Sequence, residues 1–555
     1  TQALHLGKNA ALEAWMNGLL SNPTTHVANI ISNSITTFSG IAERSIAGTF
    51  GHEVARGEAT AMIDGILGGW RDALDIAKRS FVTGESQLGL GFTKMENVDR
   101  AISGANLGIG GQMGRAVDML GSLISMPGRA LMASDDFFKG INYRAELNAQ
   151  AWRQASKEGL TGGALKTRAA ELAHDLDFVS LVKDQAENFA FYQTFNQHLG
   201  TLGEGYIGFL GEHPWMRILT PFVRTPVNIA KYTLERTPLV SLAMNQVRAD
   251  LVAGGVKRDL ALAKMATGGM IFGTATALAM NGSITGGGPK NGDLRDLKRT
   301  TGWQPYSLKV GDTYVSYART DPIGFVLGMG ADIVEKGGEL KNGELDGLAV
   351  AAITAMHDTF VSKTYLSGLM NVIDMLNSPE HKGEKYFQKL AGSLVPAGVA
   401  QLKRQLDPIL RETNSAADEI FSRLPGFSTS LPPRRNIWGE PIQLEGGIGP
   451  DLISPFYTST KIDDPVSDEI LRLKIPIPMW RQYVYGTQPS ESVFAKDNPN
   501  DGVKLLPAEY DRMVQLAGNE LKLGGKTLHE RLSGMIASPS YAQQGVLAKE
   551  ALIRQ

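Results

Sequence analysis

Over its first 250 residues the chain sets apolar side chains three or four positions apart, the period of one helix face rather than the alternation of a half-buried strand. Ala10 to Leu20 follows this spacing and stops at Ser21-Asn22-Pro23. A second helix is expected to open there, with Pro23 in its first turn and Thr24 or Thr25 as the cap. Its body carries Val27, Ile30, Ile31, Ile35 and Phe38 in one stripe, and its other faces hold Ser, Thr and Asn with almost no charge. A surface helix ordinarily shows Lys and Glu there. Small uncharged polar residues suit close packing on other helices or an interface with lipid. A buried surface between helices is the expectation.

The helical pattern resumes over 99–150, broken near Met126-Pro127-Gly128. Asp135 and Asp136 sit side by side in it. Neighbours on a helix point about 100° apart, so the two carboxylates do not share one ligand. One is expected to cap, or to pair with Lys139 or Arg144. Further on, prolines at 221, 226 and 238 push their predecessors out of helical geometry, which predicts short helices joined at fixed bends. Arg224 lies between two of these breaks, placed to satisfy carbonyls or to meet an anion.

Residues 251–345 are the most informative. Lys257, Arg258 and Lys264 precede an uncharged run from Met265 to Pro289. Its apolar part ends at Met280 and carries Gly269 and Gly273, a spacing that lets helices approach closely in a membrane or in a buried bundle. Seventeen helical residues reach about 25 Å, short of the roughly 30 Å hydrocarbon core. A buried helix is expected in the resting protein, with membrane insertion in a second state. Met265, Gly269, Ile271, Phe272, Gly273 and Leu278 are then the membrane-facing candidates, and Lys257, Arg258 and Lys264 the headgroup anchors. The loop Asn281–Pro289 follows. After it, Gln304–Val310 and Thr313–Tyr317 alternate around Gly311-Asp312, which predicts a β-hairpin with a two-residue turn. Helices are expected again at 324–336, 348–356, 361–377 and 384–412. From 431 the chain turns extended and irregular, through Leu431–Pro441 and Gly446–Pro450. Helices near 464–473 and 507–523 then lead to a capping box at Thr527-Leu528-His529-Glu530. The expected fold is mainly α, an elongated multi-helix protein with one small β-hairpin and extended C-terminal segments. It divides into an N-terminal helical region (1–250), the glycine-rich helix, loop and hairpin (251–345), a helical region (346–430), and an extended linker with a small helical end (431–555).

Composition narrows the function. A length of 555 residues exceeds one compact core and implies two to four packed units. Lys+Arg number 55 against 57 Asp+Glu, a net charge of -2, so no cationic coat for nucleic acid is present and any DNA contact is expected to be weak. The absence of cysteine excludes disulfides, thiolate metal sites and a cysteine nucleophile. Glycine is in excess, 63 residues. No secretory signal pattern is present at the start, and the chain opens on Thr1, so it is expected to be processed or to be one region of a longer polypeptide.

Motifs for catalysis fail one by one. Gly524-Gly525-Lys526-Thr527 imitates the end of a phosphate-binding loop, but Glu520 stands where its first glycine belongs. A helix end followed by a cap accounts for it. Gly108–Gly114 misses the dinucleotide spacing at Met113, and Gly286-Gly287-Gly288-Pro289 lacks the Lys-Ser/Thr helix start. The nine histidines show no paired ligand spacing and no G-x-S-x-G elbow occurs. No enzyme, cofactor or metal is expected.

Several phrases, taken in order, carry a family likeness. Asn17-Gly-Leu-Leu-Ser-Asn-Pro-Thr-Thr-His-Val-Ala-Asn-Ile-Ile-Ser-Asn33, Pro221-Phe-Val-Arg-Thr-Pro-Val-Asn228, Gly282–Pro289, Gly302-Trp-Gln-Pro-Tyr-Ser307 and Leu431-Pro-Pro-Arg-Arg-Asn-Ile-Trp-Gly-Glu440 resemble the internal virion proteins of short-tailed bacteriophages, also called ejection or DNA-transfer proteins. The likeness runs from about residue 10 to the C-terminus. It implies a mostly helical protein kept in the capsid interior around the portal. On infection such a protein leaves with the genome and reassembles as a tube across the host envelope and periplasm. Its implied partners are other copies in a ring, other ejection proteins, portal and tail, the passing genomic DNA and the bacterial inner membrane. Longer relatives carry a transglycosylase or another enzyme upstream; no such module is visible here. The competing expectations are an internal core or scaffold protein around the portal that never enters a membrane, and an enzyme whose site carries no recognisable motif.

Overall fold

The structure, a computed structural model, describes residues 2–88, 101–212, 218, 220–238, 240–337, 359, 379–444, 446, 452–477, 483–485 and 502–554. The helices expected at 348–356 and 361–377 lie outside these residues. The N-terminal part is helix after helix: α1 (Gln2–Leu20), α2 (Pro23–Phe50), α3 (Glu58–Thr83), α4 (Gly111–Ile124), α5 (Met126–Lys157), α6 (Gly162–Leu172), α7 (Leu176–Gln193) and α8 (Thr201–Glu212). Beyond the proline bends come α9 (Arg224–Leu234), α10 (Val240–Ala243), α11 (Asn245–Ala253), α12 (Gly255–Met280) and α13 (Gly292–Thr300). The hairpin β1 (Ser307–Val310) and β2 (Thr313–Ser316) leads to α14 (Ile323–Gly337). Then follow α15 (Pro379–Gly392), α16 (Ala397–Leu406), α17 (Ala416–Phe421), β3 (Thr458–Thr460) and α18 (Pro465–Arg472). A short pair, β4 (Tyr483–Tyr485) and β5 (Gly502–Lys504), precedes α19 (Pro507–Gln515), α20 (Leu528–Ile536), α21 (Pro539–Ala542) and α22 (Val546–Arg554). The protein is mainly α.

Pro23 does occupy the first turn of α2, but the cap is Asn22, whose Oδ1 accepts from Thr24 N at 3.0 Å. Over the first part of α2 the uncharged polar side is the buried side: Thr24, Asn33, Thr36, Thr37, Ser39 and Gly40 face the interior, while Phe38 is 70% exposed, and farther on the helix also buries Glu43 and Arg44. The helix satisfies its own hydroxyls, since Thr36 and Thr37 both donate to the Asn33 carbonyl at 2.9 and 2.8 Å. That removes the penalty of burying them.

α3 and α5 run antiparallel at very close range. Gly57 lies on Trp152, Gly65 on Arg144, Ala73 on Gly140 and Ser80 on Asp136. A Cβ at Gly65 would come 2.5 Å from the Arg144 carbonyl oxygen, so only glycine fits there. Between them a charged cluster is sealed in: Arg44 of α2 pairs with Glu58 at 3.0 Å and with Glu146, and Arg153 Nε donates to Glu58 at 2.7 Å.

The hairpin turns at Gly311-Asp312, where Gly311 has φ +62°, and pairs Val310 with Thr313. It is also more than a hairpin. β3 adds antiparallel to β2, matching Thr313 to Thr460, to complete a three-stranded sheet. The extended segment 431–441 does lie on another surface. It drives Ile437 and Trp438 into a core with Leu297, Val466, Ile470 and Ile475, where the Trp438 indole donates to Ser467 Oγ at 3.3 Å. The capping box forms at Thr527 and Glu530. Gly524 and Gly525, however, make a tight turn with φ of +64° and +78° between paired Leu523 and Lys526, rather than a helix end.

Candidate functional site

α12 is longer than the apolar run alone, beginning at Gly255 and containing Lys257, Arg258, Asp259 and Lys264. Asp259 fastens its first turn to the end of α2. Its Oδ2 accepts from the backbone N–H groups of His52, Glu53 and Val54 at 2.8, 2.7 and 3.3 Å. Burial works against that charge, and the three donors outweigh it and hold the carboxyl below its ordinary value.

Farther along, the inner side of α12 is locked to a buried ionic network. Arg236 forks onto Glu43 of α2 with Nε–Oε1 at 2.7 Å and Nη2–Oε2 at 2.8 Å, and stacks on the Tyr232 ring at 3.4 Å. Glu235 accepts from Tyr192 and from Lys264 Nζ, the latter at 2.8 Å, and Lys264 also lies 4.1 Å from the Tyr192 ring centre. Burial pushes the Glu235 carboxyl up, but Lys264 and Arg236 prevail and hold it below its usual range. Lys264, expected from the sequence as a headgroup anchor, is therefore engaged with the protein. Lys257 and Arg258 are exposed. They stand at a helix N-terminus, where the macrodipole disfavours cations, so helix stability does not explain them. One turn after Lys264, Gly268 seats directly on the Arg236 carbonyl, leaving no room for a Cβ.

The membrane-facing candidates divide between two sides of this helix. Leu278 packs against the cluster of Ile284, Tyr306, Tyr317 and Ala331. Ile271, Phe272 and Met265 are half-buried; the Phe272 carbonyl and Ala275 face Gly330 of α14. Gly273 is exposed, and neither it nor Gly269 has an atom within 4 Å of a built Cβ. The outward face is Leu262, Ala266, Met270, Gly273, Thr274, Ala277 and Met280, without one charged side chain. No helix among the described residues is long and apolar enough to cross a membrane.

The triple-glycine loop after α12 binds carboxylates of its own chain. Gly287 N donates to Asp332 Oδ1 at 2.6 Å and Gly288 N to Glu335 Oε2 at 2.9 Å, both acceptors on α14. Thr359 and Tyr306 also donate to Asp332 Oδ2, at 2.7 and 3.2 Å. Burial pushes the Asp332 carboxyl up to about 6. Folded Asp332 thus keeps a proton that the unfolded chain releases near 3.8, so its contribution to stability falls as pH rises through that window. Asp332→Asn abolishes this slope. Its stability relative to the parent is expected to improve by about 2–3 kcal/mol between about pH 4 and pH 7 in denaturant titrations. A pH-independent difference would contradict the assignment.

The adjacent aspartates point to different helices. Asp135 accepts from Asn29 and Asn33 of α2 at 3.1 and 3.2 Å, whereas Asp136 takes Ser80, Ser86, Gln87 N and Lys139. Arg224 meets an anion, Glu204, at 3.2 Å. Among the described residues no group of three or more His, Asp and Glu is arranged to hold a metal ion. An apolar groove of about 690 Å³ lies between α1 and α15, lined by Leu12, Trp15, Phe387, Leu390 and Leu394 with Lys8 at its side. One feature that the sequence reading passed over is α3, which turns Ile63, Leu67, Trp70 and Leu74 toward solvent. Their spacing was the available signal. The chain matches no protein-family profile, no curated protein and no solved structure.

Proposed function

We propose that this chain is a structural virion protein of the ejection type, held in the capsid interior and released with the genome to build a conduit for DNA across the host envelope. The observation that carries the reading is the outward face of α12. Its inner side is fastened by Arg236, Lys264 and Gly268, while its outer side presents nineteen consecutive residues' length of uncharged, small and apolar surface from Leu262 to Met280. Such a face suits closure by neighbouring copies in a ring or contact with lipid. Exposed Lys257 and Arg258 at one end suit anionic headgroups. Other ejection proteins, the portal and tail, and the inner membrane are the partners this reading brings, with DNA passing through on weak contacts.

A second reading, a core or scaffold protein around the portal that never enters a membrane, is favoured by the same buried network, because a helix so fixed suits a protein that keeps one state. Met270→Asp with Ala277→Asp separates the two, since both positions point outward and leave the α14 contact intact. For the conduit, virions carrying the double variant assemble normally, genome delivery falls at least about tenfold, and the protein ceases to float with liposomes. Delivery and flotation equal to the parent's would remove α12 from the mechanism.

A further inference from the structure

We propose that the outward face of α3 is an antiparallel coiled-coil seam whose partner is α3 of a second copy of this chain. Ile63, Leu67, Trp70, Leu74, Ala77 and Phe81 follow one another at intervals of four, three, four, three and four residues. This is the a/d register of a coiled coil over nearly three heptads. In an ordinary surface helix those positions face the core. Here the core side is a different one, formed by Ala61, Met62, Gly65, Gly69, Ala73 and Ser80 against α5. The seam residues are left 43% (Ile63), 69% (Leu67), 46% (Trp70), 49% (Leu74) and 37% (Phe81) exposed. A row of large apolar side chains along about 27 Å of helix is more than a monomer ordinarily leaves uncovered. The helix is already formed and backed by α5, so pairing carries no nucleation penalty. Trp70 is fixed edge-on to Phe137 of α5 at 4.8 Å, a rigid anchor at mid-seam.

Charge selects both partner and orientation. Asp64, Arg71 and Lys78 lie one heptad apart along the open edge of the seam, all exposed. A parallel pair would lay these three charges beside the partner's Ala59, Ile66 and Ala73, which carry none, and so would pair none of them. An antiparallel pair centred near Arg71 sets Asp64 opposite Lys78 of the partner subunit, and by symmetry does so twice. Arg71 then meets its own copy at the axis, with exposed Asp75 one turn away to offset the repulsion. The interface is isologous and closes on itself. It uses a different face from α12 and does not depend on the envelope reading.

The cysteine-free chain makes the test direct. Full-length chains carrying Arg71→Cys, Asp64→Cys or Lys78→Cys are treated with a short bismaleimide. These positions are exposed, so folding is unaffected. Arg71→Cys is expected to cross-link to itself. Asp64→Cys and Lys78→Cys are each expected to stay single alone and to cross-link when mixed. In sedimentation, Leu67→Asp with Leu74→Asp is expected to weaken association roughly 100-fold or more by burying unpaired charge. Self-linking of Asp64→Cys would overturn the antiparallel seam. So would a mass unchanged by the double substitution, or a monomeric parent whose flotation with phosphatidylcholine–phosphatidylglycerol vesicles is lost in the double variant, which would make the stripe a lipid face.

Discussion

Arg236→Met is expected to lower the stability of the helical body by about 3–5 kcal/mol, the largest loss from any one side chain discussed. The guanidinium is 3% exposed, and the Glu43 side chain it forks onto is 5% exposed. Taking the cation away strands Glu43 in a low-dielectric site and removes one of the two charges that hold Glu235 ionised. Arg236 itself is held well above its ordinary pKa, chiefly by Glu43 against the opposing effect of burial, so it stays charged at any working pH. Replacing both partners, Arg236→Met with Glu43→Leu, is expected to recover most of the loss, because an apolar pair leaves no unpaired charge behind. Denaturant titration of the single and double variants measures both. Hydrogen exchange should show α12 protection falling in the single variant alone. Equal losses in the two variants would mean that packing on Tyr232, not the charge pair, holds this junction.

Gly302→Ala is the second large effect, about 2–5 kcal/mol, because two penalties coincide. Gly302 has φ +74°, a left-handed conformation that alanine resists, and the new methyl would meet the Thr460 carbonyl oxygen at 1.9 Å. The same neighbourhood holds β3 in place, with Ser459 Oγ donating to the Gly302 carbonyl at 2.8 Å and Ile462 N to Thr301 O at 2.9 Å. Alanine therefore pushes the third strand off the sheet. Limited proteolysis is expected to cut between 452 and 464 much faster in the variant, with the N-terminal helices unaffected. Unchanged cleavage would show that the turn absorbs the methyl by shifting away from β3.

Much of the helical order was legible in the sequence because periodicity, proline breaks and caps act within a few residues of one another. The turn at Gly311-Asp312 was legible for the same reason. The third strand was not. Thr458, Ser459 and Thr460 are three hydroxyl residues with no apolar alternation, and their partner lies at Thr313–Val315. The Arg236–Glu43 fork joins residues 193 positions apart, and no local rule couples them. Gly286–Gly288 read correctly as a loop, but the carboxylates that occupy it come from α14. α12 shows a subtler limit. Its run of small residues indicated close packing, yet Gly268, not Gly269 or Gly273, makes the tight contact, because register against Arg236 decides which glycine faces inward. α3 shows the converse: three-four spacing marks an apolar face without saying whether the chain or a partner covers it.

The sheet has a consequence for how the protein is made. β1 and β2 are neighbours in sequence and can pair as soon as both have been synthesised, whereas β3 is delivered only after α14 to α17 have been added. Pairings of high sequence separation form late. Through that interval the free edge of β2 is an open template of backbone N–H and C=O groups. Any Thr458–Thr460 strand that reaches it, from the same polypeptide or from one emerging on a neighbouring ribosome, makes the same hydrogen bonds with Thr313, Tyr314 and Val315. Crowded synthesis therefore favours strand-exchanged pairs of chains, while dilution and slow synthesis favour self-completed ones.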